Sequence, residues 1–359
     1  MGERTLGAAV SAPIAQIPVE NIYYLFCYAW DRFEEAQTME VGGSASPNLP
    51  SLLAKVLLGG TRTLLRRGLD RGYQPHDEDL ATVRGQIDLG QTIQLRSRQT
   101  RRLHCHFDEL SHDVLHNQIL KASLLRLARA SGLESSIRHE LKQAAQQLSD
   151  VSHIRLDAAV FSRVHLHRNI SGYGLLMRVA ELAFHSLLPT EGGAGFKFHD
   201  VLRDERKMAV IFEAFIRNFY RRQQRTFAVE PLTLNWDAEQ LSNAGEGQLP
   251  TMRVDVFLRS AERRIIVDTK YYVDALQNNR GALTFHSGHL YQLFAYLRNA
   301  QGTAGTDRYD GMLLYPEART RPDANYRIHG HSIRIATVNL AQPWPLIERR
   351  LLALIEPHA

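Results

Sequence analysis

Aromatic and aliphatic residues crowd the stretch from Ile17 to Phe33, where Ile22, Tyr23, Leu25, Phe26, Tyr28, Ala29 and Trp30 are dense enough to predict a buried helix. A Gly-Gly-Ser-Ala-Ser-Pro loop follows at 42–47. Ser51 is placed to cap a second helix running to Leu65, which ends in Arg66, Arg67 and Gly68, basic residues then glycine in the usual C-terminal order. Partial alternation of Val83, Gln86, Ile87 and Leu89 around Gly85 predicts strands over Tyr73 to Leu103. Leu115 to Ala130 and Leu133 to Leu148 are amphipathic at helical spacing and separated by Ser131-Gly132, so they predict a helical hairpin. Another helix is expected over Gly172 to Leu188, and Pro189 to Gly195 (PTEGGAG) has the composition of a linker.

The pattern then changes. A helix (Met208 to Arg222) precedes three strands (Phe227 to Trp236, Arg253 to Leu258, Ile265 to Tyr271), a helix (His289 to Arg298) and a strand (Gly311 to Tyr315). This αβββαβ order predicts a mixed sheet flanked by helices. The expected organisation is therefore a disordered tail over 1–16, a mixed β and helical domain over 17–195, and a second domain over 196–359.

Composition narrows the function classes. With 359 residues, 44% hydrophobic and 23% charged, the chain has room for two globular cores. The greasiest windows carry Arg178, Glu181 and His185, so a membrane helix is excluded, and Leu6 to Val10 is too short for a secretory core. Cys27 and Cys105 cannot build a disulfide framework or a cysteine-based zinc site, which fits a reducing cytoplasm. A net charge of +5 points weakly to a polyanionic partner. Only six of the 43 basic residues are lysines, which makes each lysine worth examining. No phosphate-cradling glycine loop is present, so the chain is expected to bind no nucleotide by itself.

The chemistry concentrates in two strands joined by a short polar turn, Met252-Arg253-Val254-Asp255-Val256-Phe257-Leu258 and Ile265-Ile266-Val267-Asp268-Thr269-Lys270. An antiparallel hairpin brings Asp255 towards Asp268, and strand alternation puts Asp268 and Lys270 on one face. Three apolar residues precede Asp268, so its carboxylate is expected to be buried and to need compensation. The plainer reading is a cross-strand Asp–Lys ion pair. The chemical reading gives a hard cation, Mg²⁺ or Mn²⁺, two carboxylates and the Thr269 carbonyl as ligands. Lys270 would then orient or deprotonate the water attacking phosphorus.

Pro250, Asp255, Asp268 and Lys270 within αβββαβ resemble the PD-(D/E)xK nuclease superfamily. Wider segments sharpen the resemblance: Ile17-Pro18-Val19-Glu20-Asn21-Ile22-Tyr23-Tyr24, Arg67-Gly68-Leu69, Arg84-Gly85-Gln86-Ile87, Phe107-Asp108-Glu109-Leu110, Val267-Asp268-Thr269-Lys270-Tyr271-Tyr272, Phe285-His286-Ser287 and Leu290-Tyr291-Gln292-Leu293. Together with Leu314-Tyr315-Pro316 and Val338-Asn339-Leu340 they resemble the McrC family, the nuclease subunits of modified-cytosine restriction systems. The resemblance implies a Mg²⁺-dependent endonuclease partnered by a McrB-like AAA+ GTPase hexamer and acting on double-stranded DNA containing modified cytosine. It further implies that the N-terminal region docks on the ring and stimulates its GTPase. A non-catalytic adaptor on a nuclease-like fold and a stand-alone repair nuclease are the alternatives.

Further positions carry two readings each. Glu213 either supports the metal site or pairs with Arg217 one helical turn on. Gln292 either hydrogen-bonds a water or the DNA backbone, or is a core amide satisfied by backbone. His112 and His116 lack the Glu of a zinc-protease helix and no third ligand is indicated for them, and although His104-Cys105-His106 offers two imidazoles on one strand face, both pairs are expected at the surface or as caps. His286 is a candidate phosphate contact, and so are the pairs Arg66-Arg67, Arg101-Arg102, Arg221-Arg222 and Arg263-Arg264.

Overall fold

The computed structural model describes residues 17–33, 48–98, 100–166, 170, 172–190, 195–198, 204–239, 241, 248–271, 276–279, 282–301, 308–317 and 321–356. The expected tail over 1–16, the 42–47 loop and positions 191–194 of the expected linker lie outside them. Two compact units emerge, Glu34–His199 and a second formed by Met1–Phe33 together with Asp200–Ala359. The first helix, α1 (Val19–Ala29), thus belongs with the C-terminal unit, not with the domain expected over 17–195. Its aromatic residues explain why. Tyr28 is fully buried, with ring centroids 5.8 Å from Phe215 and 5.5 Å from Trp344. Two buried amides fix the helix: Asn218 Nδ2 donates to the Tyr28 carbonyl at 2.8 Å, and Asn21 Nδ2 to that of Leu340 at 2.8 Å.

The Glu34–His199 unit contains α2 (Leu49–Arg67), β1 (Gly72–Leu80), β2 (Gln86–Ile87), α3 (Leu89–Ser97), β3 (Leu103–Ser111), α4 (Leu115–Leu127), α5 (Ser135–Gln146), α6 (Ala158–Ser162), α7 (Gly172–Ser186), β4 (Leu187–Pro189) and β5 (Phe196–Phe198). Its core lies among α2, α4, α5 and α7, where Leu57, Ile119, Leu141 and Leu176 are buried. Gly60 sits where α2 and α7 approach, and a Cβ there would lie 2.3 Å from Leu176 Cδ2. Asn48, not Ser51, caps α2 by accepting from the Ser51 N–H at 2.9 Å. The expected helical hairpin is present as α4 and α5.

Within Tyr73 to Leu103 the expectation of strands fails at α3. Asp88 starts that helix by accepting from the Gln91 N–H at 2.9 Å. The helix buries only Thr92 and leaves Leu89 and Ile93 exposed, so no apolar stripe announced it. The three-stranded sheet has the order β1-β3-β2. Gly85, at φ 65°, turns the chain into β2, and a Cβ there would fall 2.3 Å from the His106 carbonyl oxygen.

The C-terminal unit continues with α8 (Glu205–Gln223), β6 (Ala228–Leu234), β7 (Met252–Arg259), β8 (Arg264–Thr269), β9 (Leu276–Asn279), β10 (Ala282–Phe285), α9 (Ser287–Gln301), β11 (Tyr309–Pro316), β12 (Ala324–Ile328), β13 (His331–Val338) and α10 (Trp344–Ile355). The expected αβββαβ core is present, and β12, β13 and α10 extend it. Six strands form one mixed sheet in the order β12-β13-β11-β8-β7-β6, with β9 and β10 as a separate hairpin. The central strand β8 runs antiparallel to β7 and parallel to β11, and its residues Ile265 to Thr269 are buried. On one face Ile266 packs with Leu293 and Leu297 of α9, and α8 packs on β7 and β8. Among the described residues no helix is long and apolar enough to cross a membrane.

Candidate active site

The ladder between β7 and β8 closes with the pair Val256 and Val267. One position further, antiparallel register sets Asp255 across from Asp268. The Asp255 side chain takes over there: its Oδ2 accepts from the Thr269 N–H at 2.8 Å and the Thr269 hydroxyl at 2.9 Å. Thr269, expected to contribute its carbonyl, thus also clamps Asp255. The Asp255 carbonyl accepts from Arg217 Nε of α8 at 3.1 Å, which ties the helix to this strand end.

Asp268 is 0% exposed. Strand alternation carries Lys270 to its side, as expected: Nζ lies 3.0 Å from Oδ1, in hydrogen-bonding geometry, and 2.8 Å from Oδ2. The ammonium also donates to Gln292 Oε1 at 3.0 Å. Gln292 Nε2 donates to the Tyr296 hydroxyl at 2.7 Å, and that hydroxyl to the Arg253 carbonyl at 3.2 Å. Gln292 is therefore not a core amide satisfied by backbone; it holds the lysine. Glu213 pairs with Arg217 one turn on, and it lies near enough to Asp255 to feel its charge.

The electrostatics follow from this crowding. Burial pushes the Asp268 carboxyl up to about 7; Lys270 opposes the shift, while Asp255 and Glu213 reinforce it. Burial, then the neighbouring Asp255, also raises Glu213. Asp255 and Glu213 thus both act on Asp268, while Lys270, Arg217 and Arg253 counter the negative charge around Glu213. The donor set is all hard oxygen, so it suits Mg²⁺ or Mn²⁺, and a divalent ion would relieve the penalty on Asp268.

Three contributors were not singled out from the sequence: Tyr296, His289 and the Arg253 carbonyl. Tyr296 and His289 lie on the α9 face of Gln292, at i+4 and i−3, a helical spacing that was there to be read. Burial first, then the Lys270 charge and His286, lowers His289 to about 4, and its Nδ1 lies 2.9 Å from the Tyr315 hydroxyl. His286 sits with its ring centroid 4.9 Å from that of His289. The Arg253 carbonyl had no signal in sequence, because backbone acceptors depend on tertiary placement; Arg217, expected as the partner of Glu213, additionally donates to the Asp255 carbonyl. His112 and His116 both meet Asp70, His112 at the Asp70 carbonyl at 3.3 Å and His116 at the Asp70 carboxylate at 3.0 Å, and His116 is buried where a surface or capping place was expected; neither belongs to a three-residue metal group among the described residues.

Known proteins place this architecture. The family model described as "McrBC 5-methylcytosine restriction system component" matches residues 20–316. The Type IV methyl-directed restriction enzyme EcoKMcrBC of Escherichia coli (strain K12) is 32% identical over 342 residues, covering 95% of this chain and 98% of that protein. A solved structure of Thermococcus gammatolerans McrB AAA+ hexamers with bound McrC superposes with a TM-score of 0.57 at 17% identity, over 96% of this chain and 78% of that one. The superposition supports the fold, and the sequence match spans the two aspartates, the lysine and the segments around them: the chain belongs to the McrBC family of 5-methylcytosine restriction system components.

Proposed function

We propose that this chain is the DNA endonuclease subunit of a GTP-dependent, modified-cytosine-specific restriction complex, with a PD-(D/E)xK active site at the β7–β8 edge. The observation that carries the reading is the placement of Lys270, held between the buried Asp268 carboxylate and Gln292, with Asp255 clamped one strand away. An ion pair serving stability alone is poorly suited to that place, because apolar residues would fill a sheet centre at less desolvation cost. Asp255 and Asp268, with the Thr269 carbonyl, would hold Mg²⁺, which supplies charge stabilisation at the phosphodiester. Lys270 orients the attacking water through its ammonium, and takes the water's proton only in the neutral amine form, having first lost its own to solvent. Gln292, braced by Tyr296, fixes the lysine, and Glu213 through Arg217 steadies the β7 end. Its partner is proposed to be a McrB-like AAA+ GTPase hexamer, as in the Thermococcus assembly, with the Glu34–His199 unit docking and stimulating it. The substrate reading, double-stranded DNA carrying modified cytosine, is supported by the methyl-directed Escherichia coli relative.

The test is cleavage of methylated and unmethylated plasmid with GTP, with and without the cognate ring protein. Cutting should require methylation, GTP and the ring, stop in EDTA, return with Mg²⁺ or Mn²⁺ and stay low with Ca²⁺, whose longer ligand distances misplace the water. Undiminished cutting in EDTA would exclude the metal mechanism. Stimulated GTP turnover with no cutting under any condition would leave the adaptor reading.

A further inference from the structure

The β1–β3 ladder gathers imidazoles and carboxylates that the proposed nuclease chemistry does not use. Asp77 lies opposite His106 and Asp79 opposite His104. Strand alternation then puts both acids and both imidazoles on one face. Asp77, His104 and His106 each present a ligand atom within 4.8 Å of the other two, and no other group of three His, Cys or acidic residues among the described residues does so. His106 Nδ1 bonds Asp77, and His104 Nδ1 lies 2.7 Å from Asp79 Oδ1. A further oxygen arrives from outside the ladder. Asp88 spends Oδ1 on capping α3, and its Oδ2 stands 3.5 Å from His106 Nε2. Its position is fixed by its own N–H, which donates to the His104 carbonyl at 2.9 Å.

From the sequence alone these histidines read as surface or capping residues; cross-strand register adds a carboxylate to the two imidazoles. Two imidazole nitrogens with a carboxylate form a borderline N/O set, which favours zinc-class ions over Mg²⁺. The geometry points to a second metal site, in which Asp77, His104 and His106 bind one divalent transition-metal ion of the zinc class. Asp79 is placed to hold the His104 ring or to add a fourth oxygen. Bound there, the ion would clip β1 to β3 and, through Asp88, to the start of α3. This site does not rest on the nuclease reading and uses none of its residues.

The experiment uses tag-free full-length protein stripped with EDTA and dialysed. Zn²⁺ is titrated calorimetrically in excess Mg²⁺, and Co²⁺ is followed by its visible absorption. One equivalent of Zn²⁺ should bind, with a rise in melting temperature, and Co²⁺ should develop ligand-field bands. Asp77→Asn and His106→Gln, both at solvent-accessible side chains, should weaken Zn²⁺ binding by at least about tenfold, as should Asp79→Asn, while Asp268→Asn should leave it intact. Far-UV circular dichroism reports the folding of each variant. Absence of Zn²⁺ binding in excess Mg²⁺ would overturn the proposal and leave plain His–Asp ion pairs. So would binding that survives in both folded ligand variants, or that is lost in Asp268→Asn.

Discussion

Two sheets in this chain bring acidic and basic side chains together, and they treat them in opposite ways. On β8, Asp268 is 0% exposed and answered chiefly by Lys270, so its ordinary ionisation is pushed up to about 7. On β1 and β3, Asp77 and Asp79 meet His106 and His104 with half-open side chains. Burial makes a charge costly, whereas exposure makes the same pairing nearly neutral. A costly group held by a chain of hydrogen bonds is the stronger pointer to chemistry. An exposed group needs converging ligand atoms before it points anywhere.

The contrast is sharpened most by removing the buried charges. Lys270→Ala and Asp268→Ala should each lower plasmid cleavage by about 10²–10⁴-fold while GTPase stimulation stays near wild type. Near-normal cutting by either purified variant would dissolve the distinction between the two sheets. Gln292→Leu should cost less, since it removes one hydrogen bond to the ammonium, a contact of about 1.5–3 kcal/mol; roughly tenfold or more slower cutting is the expected reading.

A third variant tests whether the two units are separate in stability. Asn218→Ala removes one of the two donors to the Tyr28 carbonyl, which keeps the Asp31 N–H at 2.9 Å, and should destabilise the C-terminal unit by about 0.5–1.5 kcal/mol in a denaturant melt. A transition of the Glu34–His199 unit that moved by as much would contradict the division. The same division predicts that a 34–199 fragment folds by itself, read by a cooperative denaturant melt, whereas a 1–195 fragment carries α1 without the aromatic surface that covers it.

The smallest effect concerns His289, whose pKa falls from 6.5 to about 4 on folding. Between those values the unfolded chain binds the proton and the folded chain does not, so stability present above pH 6.5 is lost as pH falls towards 4. His289→Gln should flatten the decline in melting temperature over that window. An unchanged slope would show that the ring is not held neutral.

Local signals made much of this legible. The αβββαβ order followed from periodicity, because helices and strands with one buried face must repeat at 3.6 or 2 residues. Asp268 and Lys270 had to share a face, since a strand has no other way to place i and i+2. Three apolar residues before Asp268 already implied its burial. The α3 helix was hidden because it buries almost nothing and so leaves no stripe.

The sequence by itself determined which residue types were available on which strand faces, because backbone geometry and side-chain period are local. Only the tertiary structure decided what met them. Register set Asp255 against Asp268 and the imidazoles of β3 against the acids of β1. Packing of α9 brought Gln292 and Tyr296 to the lysine, and α1 left its neighbours in sequence for the aromatic face of α8, where Phe215 and Phe219 bury more of it than a polar loop could. These partners lie far apart along the chain, and the free energy of burying them together appears in no local pattern.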